Sequence, residues 1–165
     1  MSRARLLTPL AALALLAGCG MPNPAAASQV GDVTIAEKTV TSLTEACAPV
    51  VHRGVAEMRT TVVEFLTRGE AARQLAAKHG IDVSEGAIDA ALPQIAPDQF
   101  PLLNTGCAPL VRSSMATEIV ANQLQATFLP EAHSLGITLN PRYGTWDATK
   151  LTTAGSGSLS TIAGG

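Results

Sequence analysis

Three cysteines and three histidines are the residues of this chain best suited to chemistry. Cys47 and Cys107 each stand directly before an Ala-Pro pair that can open a helix. Thiols there could form a disulfide, or persist as two buried, reduced groups. The chain holds no Cys-x-x-Cys, which argues against a catalytic redox pair. His52, His79 and His133 lack the spacing of a helical ligand pair, so no metal site is expected. His79 precedes Gly80, where a cation complements a helix C-terminus. Serine, threonine and carboxylate residues form no triad, nucleophile elbow or paired-carboxylate motif. No dinucleotide or P-loop glycine pattern occurs. These residues point to no enzyme, no catalytic residue and no cofactor.

Cys19 has a different setting. Arg3 and Arg5 form a charged start, Leu6–Ala17 is uncharged and apolar, and small residues follow. That order predicts a secretory signal over 1–18, and the apolar stretch is shorter than the ~20 residues a membrane-spanning helix needs. Leu16-Ala17-Gly18-Cys19 resembles the bacterial lipobox. The resemblance implies that the Cys19 thiol is acylated and that cleavage makes it the first residue. The alternative is an ordinary signal with a cysteine there by chance. Loss of 1–18 removes Arg3 and Arg5 and leaves nine basic residues against 13 acidic ones. The expected location is the extracytoplasmic face of the cell membrane, held by N-terminal acyl chains. Residues 19–28, small and proline-containing, are expected to be a flexible tether.

Export and acylation of Cys19 would leave Cys47 and Cys107 as the remaining pair. An oxidising compartment favours a disulfide between them, expected to join two helix N-termini.

The whole chain has 165 residues and a net charge of −2; 47% of residues are apolar and 15% charged. That is one domain's worth of sequence with enough apolar residues for a core, unlike a charged disordered chain. Only five aromatics occur: Phe65, Phe100, Phe128, Tyr143 and Trp146. Few aromatics and no basic run argue against nucleic acid as a partner.

The elements that must position these residues are mostly helical. Gln29–Ile35 reads as a hairpin about Gly31-Asp32, followed by a helix from Ala36 to about Cys47. Val51, Val55, Met58, Val62 and Phe65/Leu66 recur at helical spacing, predicting a helix over Pro49–His79, about 46 Å long. Gly80-Ile81 supplies its stop. Gly54 and Gly69 weaken it unless they permit close packing. Ser84 caps a short helix to about Leu92, and three prolines make 93–106 a loop-rich connection. A further helix is expected over Ala108–Phe128, then a strand at Ile137–Leu139. Cys47-Ala-Pro and Cys107-Ala-Pro echo each other, as do Gly80-Ile81 and Gly136-Ile137; chance reuse of helix signals explains this more simply than duplication. Residues 148–165 are expected to be a mobile tail.

The order of Val30-Gly31-Asp32, Ala76–Ile81 and Val83-Ser84-Glu85 resembles the N-terminal domain of SurA and related trigger-factor-type chaperones. The Ile137–Asp147 ending (ITLNPRYGTWD) is similar to that of actinobacterial lipoproteins carrying this domain alone. The resemblance covers 29–147. It implies a mainly α domain with a small β-hairpin or sheet joining its two ends, and binding of unfolded or extended polypeptide. Many such proteins also carry a parvulin isomerase module, for which no residues remain between the helices, so no isomerase activity is expected. Tyr143 and Trp146 either cover the end of the sheet or form a partner-binding edge. Two functions stand: chaperone-like binding of client chains through an apolar groove walled by the Pro49–His79 and Ala108–Phe128 helices, or a non-enzymatic envelope lipoprotein that binds one folded partner or serves as a scaffold.

Overall fold

Gly31 takes φ +54°, a conformation open to glycine without steric cost. It turns strand β1 (Ala26–Val30) back on β2 (Val33–Ala36), with Val30 opposite Val33. The computed structural model describes residues 23–155. Cys19 and the expected signal over 1–18 lie outside the described residues, as does 156–165.

The protein is mainly helical, with small antiparallel sheets. After β2 come α1 (Glu37–Cys47), α2 (Val55–His79) and α3 (Glu85–Ile95). A 3-10 helix (Pro97–Asn104) leads to α4 (Ala108–Leu124), and a short α5 (Phe128–His133) follows. Strand β3 (Ile137–Leu139) pairs with the free side of β1, Val30 facing Ile137. The two ends of the domain therefore meet in one sheet. Asn140 ties them further: its backbone N–H donates to the Ala27 carbonyl and its side-chain amide to that of Ala26, both at 2.9 Å.

Helix α2 is the central element. Its buried face carries Met58, Val62, Val63, Ala72, Leu75 and Ala76. The first half packs with Val40, Leu43 and Leu110, the second with Val120, Phe128 and Leu151. Gly69 makes the seam with α4 possible. A Cβ there would stand 2.6 Å from the Ser113 Cβ and 2.9 Å from its Cα.

Several boundaries differ from expectation. Helix α2 begins at Val55, not Pro49. The Val50 and Val51 N–H groups donate to the Cys47 carbonyl, Arg53 N–H donates to Ala48, and His52 has φ +54°, so the chain turns there before Gly54 opens the helix. Helix α3 runs past Leu92 to Ile95, with Pro93 in its last turn, and the connection beyond is helical. Helix α4 stops at Leu124, where Gln125 takes φ +50°.

Two terminal expectations also change. Ala26–Ser28 belongs to β1, not to a tether over 19–28: Ala27 is buried and the Ser28 hydroxyl bonds that of Thr67 at 2.7 Å. Residues 148–155 are not a tail. Strand β4 (Thr145–Asp147) pairs with β5 (Thr152–Ala154), Leu151 is buried, and Thr153 donates to Glu64 through its N–H and hydroxyl.

Candidate functional site

A groove of about 540 Å³ opens where the N-terminal halves of α2 and α4 face the 97–104 helix. Val51, Met58, Phe65, Leu102, Leu110 and Val111 supply its apolar lining. Arg53, Asp98 and Gln99 also reach it, with Thr61 and Ser114. This is the size and chemistry of a cleft that takes apolar groups and orients them with a few polar ones.

The disulfide forms one edge. Cys47 and Cys107 are bonded across a Cα separation of 5.0 Å, both are buried, and Cys107 lines the groove. The geometry corrects one detail: Cys47 ends α1 while Cys107 precedes α4, so the bridge joins a helix C-terminus to an N-terminus. Gly106 allows the approach, since a Cβ there would meet that of Ala46 at 2.7 Å. Arg112 fixes α3 against α4, donating from Nε and Nη2 to the two Asp89 oxygens at 2.9 and 2.7 Å. That bidentate bond holds the Asp89 carboxyl below its usual range.

Tyr143 and Trp146 lie apart from the groove. The Tyr143 ring is buried in the core cluster that contains Ala27, Val40 and Met58. Its hydroxyl donates to the Glu37 carboxylate, standing 2.7 Å from each oxygen. Arg59 donates to the same group at 3.0 Å. Burial, then the hydrogen bond to Glu37 and its charge, push the phenol up to about 12. Trp146 packs partly buried beside Leu75, Val120 and Leu151, and its Nε1 is buried without a hydrogen-bond partner among the described residues.

Tyr143 is the chain's single tyrosine, so its ionisation can be read directly. Its phenolate absorbance should rise with a midpoint near 12 in the folded protein and near 10 in denaturant. The contribution to stability is full below about pH 10, falls as the unfolded phenol ionises first, and is lost above the folded midpoint. A native midpoint near 10 would contradict the buried geometry.

The histidines stand apart in role. His52 is exposed in the turn before α2, and His133 is exposed at the end of α5. His79 Nε2 lies 2.8 Å from Glu131, which also accepts from Lys78 at 2.7 Å. The Lys78 bond first, then that of His79, holds the Glu131 carboxyl below its usual range. Among the described residues no three histidine, cysteine or carboxylate side chains are grouped to hold a metal ion, and no helix is long and apolar enough to cross a membrane.

Sequence reasoning missed Leu102 and the third wall. Pro97 at a helix start and the apolar Phe100, Leu102 and Leu103 were the available signals. It also missed the Glu37–Tyr143 bond, which spans 106 residues and leaves no local pattern. No family, curated protein or solved structure matches this chain.

Proposed function

We propose that this protein is a lipid-anchored, extracytoplasmic, non-enzymatic lipoprotein that holds unfolded or extended polypeptide through the groove between α2, α4 and the 97–104 helix. The observation that carries the reading is that groove: apolar in lining, with polar groups at hand and braced by a disulfide. The Leu16–Cys19 lipobox resemblance supports the anchor, and the resemblance to the SurA N-terminal domain supports the client class. Apolar burial is non-directional, so binding should tolerate varied client sequence and show a negative heat-capacity change.

The test is suppression of aggregation of a reduced model client by the purified protein. Thr61→Arg places a long, charged side chain in the groove without removing a core residue. The wild type should suppress aggregation, and the variant should lose most of this while unfolding at the same temperature. No suppression at several-fold excess favours a single folded partner instead. Acceleration of prolyl isomerisation, removed by a point substitution, refutes the non-enzymatic reading. For the anchor, Cys19→Ser should move the protein out of the membrane fraction; a cleaved variant that stays membrane-bound overturns acylation.

A further inference from the structure

The described chain begins beside a cluster of cations. Asn23–Ala25 folds onto the domain: Ala25 N–H donates to Asn23 Oδ1 at 3.0 Å, and Glu37 N–H to the Ala25 carbonyl at 2.8 Å. Arg142 reaches the Pro24 carbonyl at 3.5 Å. The Arg59 and Arg142 guanidinium groups both approach the Glu37 carboxylate, at 3.0 and 3.7 Å. Lys38, exposed, follows Glu37 directly. Two guanidinium groups thus hold one carboxylate at the point where the chain joins the fold, and Lys38 stands exposed next to it on α1, on the side that carries Thr39, Ser42 and Leu43. Asn23 stands four residues after Cys19, and four residues reach at most about 14 Å.

We propose that the patch formed by Lys38, Arg59 and Arg142 docks on anionic lipid headgroups, so that anchor and protein surface together hold the domain in one orientation. The proposal rests on acylation of Cys19. A short tether brings the patch within the range of a membrane surface potential, which attracts basic side chains close to the bilayer. An acyl chain combined with basic residues holds a membrane more firmly than the chain alone. The far end of the molecule is kept away. β1 and α2 run in the same sense, since Ser28 meets Thr67 and Val30 meets Gln74. Lys78 therefore lies roughly 28 Å beyond Arg59 along α2. Lys150 adjoins Leu151, which packs with Leu75 in the distal half of that helix.

Lys38, Lys78 and Lys150 are the chain's three lysines, so acetylation by a water-soluble reagent reads both ends in one experiment. The full acylated protein is placed in phosphatidylcholine vesicles with or without phosphatidylglycerol, and each lysine is followed by mass spectrometry. With phosphatidylglycerol, Lys38 should react several-fold more slowly than without it, Lys78 and Lys150 at unchanged rates, and added salt should abolish the difference. Equal protection of all three lysines, or a Lys38 rate indifferent to phosphatidylglycerol, overturns the docking surface. Intact mass separates the two ideas: a processed chain with unmodified Cys19 overturns the acylation reading itself and the docking proposal with it, whereas acylated protein without Lys38 protection overturns docking alone.

Discussion

Reduction of the Cys47–Cys107 bridge is expected to lower the free energy of unfolding by about 4 kcal/mol. The bonded residues are 60 apart, and closing a loop of that length removes much of the freedom of the unfolded chain. The loss is a large part of the ~5–15 kcal/mol that holds a typical domain together. Trp146, the single tryptophan, packs beside Leu75 and Leu151 and makes fluorescence a direct reporter of urea unfolding. The reduced protein should unfold at lower urea and with a steeper dependence, because its unfolded state exposes more surface. Cys47→Ala with Cys107→Ala should fall further, since both sulfurs are buried and their removal leaves space. An unchanged midpoint after complete reduction, verified by thiol alkylation, would count against the bridge as a source of stability.

Gly69→Ala is the second large effect expected. Alanine favours a helix over glycine by up to ~1 kcal/mol, so propensity alone predicts stabilisation. Packing reverses the sign. The added methyl would stand 2.9 Å from both the Cα and the carbonyl oxygen of Ser113. Those are backbone atoms of α4 and cannot rotate aside, so the two helices must part. Ser113 is itself buried and accepts from Arg73 at 3.1 Å, and a shift strains that contact too. Overpacking of this kind costs ~1–3 kcal/mol or more, and Gly69→Val should cost more than Gly69→Ala. Gly86→Ala is the control, because nothing lies within 4 Å of a Cβ there. Its midpoint should stay or rise; equal losses at both glycines would remove the close seam as the explanation.

The features legible in the sequence were those with a local cause. Gly31-Asp32 marks the hairpin, Gly80 ends α2, and the Ser84 hydroxyl accepts from Ala87 N–H at the start of α3. The strand at Ile137–Leu139 lies where it was expected. Elements decided by distant partners were not legible. Pro49 suits a first helical turn, yet the carbonyls of Cys47 and Ala48 capture the following N–H groups and delay α2 to Val55. Residues 148–155 look like the start of a polar tail, yet Leu151 finds the core and Thr153 finds Glu64. For the candidate site, the pairing of Cys47 with Cys107 followed from counting thiols. The third wall of the groove did not, because Leu102 becomes a wall only once Pro97, Pro101 and their neighbours are wound into a helix.

The pairing of β1 with β3 also sets an order of events during synthesis. Val30 leaves the ribosome 107 residues ahead of its partner Ile137. At typical elongation rates that interval is roughly 5–20 s. Through it, one side of β1 offers unpaired backbone groups that another strand could take. The Asn140 amide, which closes onto Ala26 and Ala27, arrives later still. The domain's first strand is therefore completed only by residues more than a hundred positions later, and a nascent chain stopped before Ile137 holds an open sheet edge whatever helices it has already formed.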